Sequence, residues 1–212
     1  MAKRKTIQLP KGYLSYSQIQ LWKANKERYR KLYYENKSEY RIRNKEMDYG
    51  KIVADALENE EKTDDVLTDA AMLLLPKYDI RDKEIWTSIK TKDGWIDLIG
   101  KPDTLNSVTK AFREYKTGKG KWTQNKAQKH PQMVFYAMII YLKYKIANSD
   151  AYLDWIETED TIDGIKPTGK VESFHVTFTM NDILKCMAET IKVAKEIEID
   201  YASYVPEPEE EF

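Results

Sequence analysis

The sequence predicts an α+β domain, a mixed β-sheet flanked by helices and preceded by a helical segment. Three observations carry this. Apolar residues recur at helical spacing through the first third of the 212-residue chain. The period then drops to two between the low eighties and about residue 118. Beyond it, a helical run, two more strand-like runs and a last helical run follow, with no internal repeat.

In "LSYSQIQLWKANKERYRKLYYEN", Ile19, Trp22, Tyr29, Leu32 and Tyr33 fall near helical spacing, and Ser15 and Gln18 stand in capping-box relation. A first helix is expected from about Ser17 to Glu35. "EMDYGKIVADALENEE" predicts a second helix and "DDVLTDAAMLLL" a third, which Pro76 stops. "EIWTSIKT", "GWIDLIGKPDTL" and "TKAFREYKT" predict an antiparallel meander whose first two strands join at a Lys-Asp-Gly turn. Thr123 to Ile146 returns to helix, with Met133, Tyr136, Ala137, Ile140 and Leu142 on a broad apolar face. "AYLDWIE" and "KVESFHVTFT" predict two strands separated by a loop bearing Gly and Pro. Thr179 and Asp182 then form a capping box for a helix ending near Tyr204. The expected organisation is one domain over 1–205, helical over about 14–75, a sheet core with a helix over 82–179 and a C-terminal helix over 180–204, followed by an acidic tail at 206–212.

The 35 basic and 35 acidic side chains cancel, but they are segregated. Basic residues dominate the first fifty positions and the stretch Lys110 to Lys129, whereas acids collect in 55–65, 150–163 and 196–211. This predicts a basic face on a neutral molecule, with a solvated helix face as the plain alternative. Cys186 is the single cysteine, which excludes an intramolecular disulfide and a cysteine-built zinc or iron–sulfur site. A reducing compartment, the cytoplasm of a bacterial or phage-infected cell, is expected. The basic N-terminus lacks the apolar core of a secretory leader, and "VFYAMIIYL" is too short to span a bilayer, so no membrane association is expected. No P-loop and no G-x-S-x-G element occurs, so nucleotide hydrolysis and serine-nucleophile chemistry find no support.

The chemistry concentrates in "DLIGKPDTLNSVTKAFREYKTGKGKW". Asp103 is expected near the end of the second strand, with Glu114 and Lys116 two apart on the third, and therefore on one face with Tyr115 on the other. Paired strands would bring two carboxylates and an ammonium to one surface. Carboxylates so placed repel, and a divalent cation relieves the repulsion. Oxygen-only ligation suits Mg²⁺ or Mn²⁺, which activates water and polarises a phosphoryl oxygen while a lysine steadies the developing charge. The alternative is coincidence, because such a string recurs by chance in a chain one-third charged.

"GKPD" followed by "EYK" resembles the PD-(D/E)XK nuclease signature, in the RecB-like and lambda-exonuclease-like branch. The resemblance implies a restriction-endonuclease-like core, with Asp103 and Glu114 as metal ligands, the Tyr115 carbonyl completing the shell and Lys116 catalytic. The branch also carries a Q-x3-Y motif on the following helix, which "QMVFY" matches with Gln132 and Tyr136, one turn apart and expected to reach the site or the DNA backbone. Upstream, "LSYSQIQLWKANKERYRKLYY" is similar to the opening helix of RecB-like nucleases, several of which hold an iron–sulfur cluster. This chain has none of the four cysteines, so the resemblance is to a cluster-free version. Relatives often place another ligand on the second helix, where "GKIVADAL" has Ala54. Glu58 or Asp55 is the candidate substitute, with a solvated helix residue as the bland reading for each.

The resemblance implies a stand-alone exonuclease of phage or recombination type acting on DNA. The alternatives are a structure-selective or sequence-specific endonuclease, or a DNA-binding or assembly protein that has lost catalysis. Lys119, Lys121, Trp122 and Lys126 in "KTGKGKWTQNKAQK" are candidate DNA contacts, Trp122 having a second reading as an anchor for the next helix. The acidic tail is read first as solubilising and second as a docking peptide for a recombination or single-strand-binding partner. A ring-shaped oligomer follows from family analogy alone. His130, two positions before Gln132, and His175 are read as structural, and Cys186 as a buried thiol.

Overall fold

The computed structural model describes residues 4–81, 83–147 and 149–206. The acidic tail beyond Pro206 lies outside them.

Where one opening helix is predicted, two form: α1 (Tyr16–Ala24) and α2 (Lys26–Tyr33). Asn25 makes the break. Its extended backbone, φ −160° and ψ 95°, donates its N–H to Leu21 at the end of α1, and its side-chain oxygen accepts the Arg28 N–H at the start of α2. Asparagine competes well for main-chain bonds, so a periodic run need not continue through it. Ser15 caps α1 by accepting the Gln18 N–H, but the Gln18 side chain turns into the core and accepts from the Tyr29 hydroxyl at 3.5 Å, so the box is half made. Helices α3 (Lys45–Asn59) and α4 (Val66–Leu73) follow, capped by Asn44 and Asp65.

The strands are β1 (Ile80–Arg81), β2 (Ile85–Lys90), β3 (Trp95–Gly100), β4 (Thr104–Leu105), β5 (Phe112–Gly118), β6 (Ala151–Thr161) and β7 (Gly164–Val176). The predicted second strand is cut in two, so the expected meander divides between two sheets. β3 pairs with β2 in a hairpin, while β4 pairs with β5. Pro102 lies in the cut and has no N–H to donate to a ladder. The main sheet runs β1-β4-β5-β6-β7, with β5 and β6 parallel and every other pair antiparallel. A parallel pair needs a long crossover. Here it is α5 (Gln124–Gln128) and α6 (Pro131–Tyr144), two helices where one is predicted. Pro131 holds the first position of α6 and keeps His130 extended, which separates them.

The predicted loop between the last two strands belongs to the β6–β7 hairpin, in which Pro167 stands opposite Thr158 just past a bulge. A proline is tolerated there because β7 is an edge strand. The final helix, α7 (Met180–Ser203), begins with the predicted Thr179–Asp182 box. No helix among the described residues is long and apolar enough to cross a membrane.

Strand alternation splits the core between the two faces of the main sheet. Phe112, Leu153 and Val176 face the larger cluster, with Met133, Phe135 and Ile139 of α6 and, farther out, Trp22, Tyr29 and Ile197 of α1, α2 and α7. Tyr115 and Ile156 face the smaller cluster, built by Val53 and Leu57 of α3 and Met72 of α4. The N-terminal helical segment is therefore divided. Its first pair docks on α7, where the Trp22 indole N–H donates to Glu196 at 3.0 Å and Arg30 pairs with Asp200; its second pair covers the opposite face. One feature was not predicted: main-chain bonds from Lys5, Ile7 and Leu14 to Trp95, Asp97 and Ile99 lay the N-terminal stretch along β3.

Candidate active site

The cut between β3 and β4 positions Asp103. β4 ends opposite Phe112 and Arg113, and the next position on β5 is served by a side chain instead: Asp103 Oδ2 accepts the Tyr115 N–H at 2.6 Å. In an extended strand the N–H and C=O of one residue point to the same edge, so the Tyr115 carbonyl faces the edge that Asp103 occupies. Asp103 thus stands in the bend before β4, not on the strand where the sequence placed it.

β5 supplies the rest. Glu114 and Lys116 share the α6 face, and the Lys116 ammonium donates to Glu114 Oε1 at 2.6 Å. From α6, the Gln132 amide donates to the same Glu114 oxygen at 2.6 Å and to the Tyr136 hydroxyl at 2.9 Å, and that hydroxyl donates to the Lys101 carbonyl at 2.9 Å. Gln132 therefore reaches the carboxylate as expected. Tyr136 differs: it is buried and spends its hydroxyl holding the bend that carries Asp103. Gly100 lets α6 come this close, because a Cβ there would lie 3.2 Å from Ile139 and 3.3 Å from Tyr136.

Glu114 is 4% exposed, and its second oxygen, Oε2, is buried with no hydrogen-bond partner among the described residues. Burial, and next the Glu114 charge, push the Asp103 carboxyl up to about 8. Burial and the same charge push the Tyr16 hydroxyl up to about 12. Burial, with the Lys116 and Lys126 charges, pushes His130 down to about 4 and so keeps its ring neutral, with Nδ1 buried and unpartnered. Tyr16 and His130 thus lie within electrostatic reach of Glu114 and Lys116 respectively. Tyr16, one of 15 tyrosines in the chain, carries no signal in the sequence that sets it apart; for His130 the closeness to Gln132 was such a signal.

A cleft of about 500 Å³ opens between α3 and β5, lined by Gly50, Val53, Ala54, Asp103, Glu114 and Lys116. Ala54 faces it and offers no ligand. Glu58 lines a smaller recess beside Asp103, but both its oxygens lie 3.3 Å from the Lys101 ammonium. Asp55 pairs with Lys51 on the exposed side of α3. Among the described residues no three His, Cys, Asp or Glu side chains form a ready cation cage; Glu58 stays beside Asp103 with its carboxylate on Lys101, and Asp55 is turned to Lys51. Lys101, the partner of Glu58, lies two residues before Asp103. Asp103, Glu114 and the Tyr115 carbonyl are the oxygen donors that the cut between β3 and β4 and strand β5 bring together.

The predicted DNA contacts separate. Lys119 is held by Glu46 and Asp160. Trp122 packs on the rings of Trp155 and His130, each 5.5 Å away, and so anchors the start of α5. Lys121 and Lys126 are exposed and form no ion pair among the described residues, although Lys126 lies 4.3 Å over the Trp122 ring. The charge segregation of the sequence is partly closed in space, since Lys26, Arg30 and Lys166 pair with Glu196, Asp200 and Asp65. His175 pairs with Asp150 at an exposed site. Cys186 is half-buried, its thiol pushed up to about 11 by burial.

No protein-family model and no curated protein matches the chain. Among solved structures it is similar to one described as "Crystal structure of SSO0001", at 12% identity over 91% of this chain and 79% of that chain, with a TM-score of 0.46.

Proposed function

We propose that the protein is a metal-dependent deoxyribonuclease of the PD-(D/E)XK type, acting as a stand-alone exonuclease in phage growth or in recombination and repair. The observation that carries this reading is the state of Glu114: one oxygen shared by Lys116 and Gln132, the other buried and unpartnered, with the Asp103 carboxyl close enough for its charge to act there. A buried carboxylate pair is costly without a cation, and a donor set made wholly of oxygen suits a small hard one. Asp103, Glu114 and the Tyr115 carbonyl would hold Mg²⁺ or Mn²⁺, which when bound supplies an acidified water and a polarised phosphoryl oxygen.

The chain's own residues do the rest. Gln132 fixes the Glu114 rotamer, and Tyr136 fixes the bend that presents Asp103. Lys116, with its side chain 27% exposed, reaches the cleft and can orient the attacking water or neutralise charge on the phosphate. Lys121 and Lys126, which form no ion pair among the described residues, add positive charge for a phosphate backbone.

A second reading, a DNA-binding or assembly protein without turnover, is favoured by Ala54 and by the engagement of Glu58 with Lys101, which leave few ligands. The deciding experiment follows product release from end-labelled linear duplex, single-stranded DNA and closed-circular plasmid, with Mg²⁺ or Mn²⁺, for wild type and Lys116→Ala. Loss of linear substrates alone, abolished by the substitution while DNA binding persists, supports an exonuclease. Cleavage of the closed circle makes it an endonuclease. An unchanged rate in Lys116→Ala removes the proposed mechanism, and binding without metal-dependent cleavage moves the reading to the second.

A further inference from the structure

The two outer strands β7 and β2 are finished differently. β7, an edge of the main sheet, carries Pro167 beside a bulge, and the Gln124 and Gln128 amides of α5 donate to the His175 and Thr177 carbonyls at its end. Proline, bulges and covering side chains are what keep an edge strand from pairing with another chain. β2 has none of these. It pairs with β3 along one side, and no strand or main-chain hydrogen bond meets its other side among the described residues. A cleft of about 570 Å³ runs along that side, lined by three successive residues of the strand, Trp86, Thr87 and Ser88.

The register fixes which groups the open side presents. On β3, Trp95 accepts the Ile7 N–H and donates to the Lys5 carbonyl, the Asp97 carbonyl accepts the Leu14 N–H, and the Ile99 N–H donates to the Leu14 carbonyl. These three residues therefore turn their peptide groups away from β2. Lys90, Ser88 and Trp86 stand opposite them and, in an antiparallel pair, turn theirs outward likewise. Side chains alternate in step. Ile85 and Ile89 are buried, whereas Trp86 is 45% exposed, and its indole N–H donates to Glu84 at 3.0 Å on the same face. Glu84 and Lys90 are exposed and form no ion pair among the described residues, although Lys90 lies 5.8 Å over the Trp95 ring.

We infer that two copies of the chain dimerise through their β2 edges, paired antiparallel about a two-fold axis at Thr87, so that the two hairpins form one sheet. In this register Trp86 and the partner's Ser88 exchange main-chain bonds, and Glu84 stands opposite the partner's Lys90. The axis repeats each contact, so two opposite-charge pairs flank the seam. Trp86 meets the partner's Trp86 on the diagonal, within reach of aromatic rings. An edge that is self-complementary in this way closes after two copies instead of recruiting more. Lys143 and Lys145, on the far wall of the cleft, suit an acidic segment as the rival occupant, which the experiment separates. The inference does not rest on the nuclease reading.

Sedimentation velocity on the full chain over a wide range of concentration is expected to show a monomer–dimer equilibrium. Ser88→Pro removes an N–H that the hairpin does not use and is expected to abolish the dimer while circular dichroism stays that of the folded chain. Glu84→Lys and Lys90→Glu each set like charges opposite one another twice, and each is expected to raise the dissociation constant about tenfold. An equimolar mixture of these two variants restores both opposite-charge pairs across a heterodimer and is expected to recover the wild-type constant, which damage to the fold would not give. A wild type that stays monomeric, a dimer that survives Ser88→Pro or both charge reversals, or a mixture no tighter than the single variants overturns the inference. So does a chain that stays monomeric and binds a glutamate-rich peptide, with loss of that binding in Lys143→Glu/Lys145→Glu, which assigns the cleft to an acidic partner.

Discussion

Asp103 accepts the main-chain N–H of Tyr115 at 2.6 Å, so an acidic side chain takes the ladder position that β4 leaves empty. The bond fixes the carboxyl beside Glu114, and burial with that neighbouring charge raises its pKa to about 8. In the unfolded chain the value falls to about 4. The folded state thus binds this proton more tightly, and the stability it contributes is complete below the unfolded value and lost as pH rises towards 8. Asp103→Asn removes the titration and keeps an oxygen for Tyr115. In urea titrations without divalent cations, the variant should match wild type near pH 4 and exceed it by a margin that grows as pH rises towards 8. A difference that does not change with pH counts against the assignment.

Gln132 and Tyr136 act on the site at different removes. Gln132→Leu leaves Glu114 Oε1 with Lys116 as its remaining donor and frees the carboxylate to turn. Cleavage is expected to fall about 10–100-fold, chiefly in kcat, with more metal needed for half-maximal rate. Tyr136→Phe touches only the Lys101 carbonyl and Gln132, so its loss should be smaller and accompanied by about 1 kcal/mol of stability. Single-turnover rates against metal concentration separate the two, and a larger loss for Tyr136→Phe would reverse the proposed order.

The parts of this site that were legible in the sequence are the ones fixed by local geometry. Glu114 and Lys116 share a face because a strand alternates, and Gln132 and Tyr136 share one because a helix turns in 3.6 residues. What was not legible depends on who meets whom across the fold. Asn25 and the His130–Pro131 step broke two predicted helices through side-chain and ring chemistry that an apolar period does not register. The split of the second strand left Asp103 in a bend, with Lys101 two residues before it and paired with Glu58. Lys119 reads as a free cation in a basic run, yet Glu46 and Asp160 reach it from 73 and 41 residues away.

That difference among the lysines is measurable. Each phosphate contact removed lowers the salt dependence of DNA binding by about one in the log–log slope. Lys121→Ala and Lys126→Ala should each do so, because neither charge is balanced by an ion pair among the described residues. Lys119→Ala should lower thermal stability instead, by unlinking α3 from the β6–β7 hairpin, with a slope change below one. Titrations at several salt concentrations test this; identical slopes for Lys121→Ala and wild type would remove that lysine from the DNA path.

On the opposite face of β5, Arg113 holds the β5–β6–β7 register on which Glu114 depends. Its guanidinium lies 2.9 Å from both oxygens of the fully buried Asp154, reaches Ser173 at 3.3 Å, and is covered by the Tyr152 ring at 4.2 Å. Burial alone pushes the Asp154 carboxyl upward, opposed by Ser173 and Arg113. Arg113→Met therefore strands a buried carboxylate and should cost about 3–5 kcal/mol, whereas Arg113→Met/Asp154→Leu, which removes both charges, should recover most of it. The single variant's deficit should also shrink as pH falls and Asp154 takes up a proton. Urea denaturation of the wild type, both single variants and the double variant across pH gives the coupling directly. A double variant as unstable as Arg113→Met would mean that the guanidinium serves through its packing on Tyr152 and Tyr78 and not through its charge.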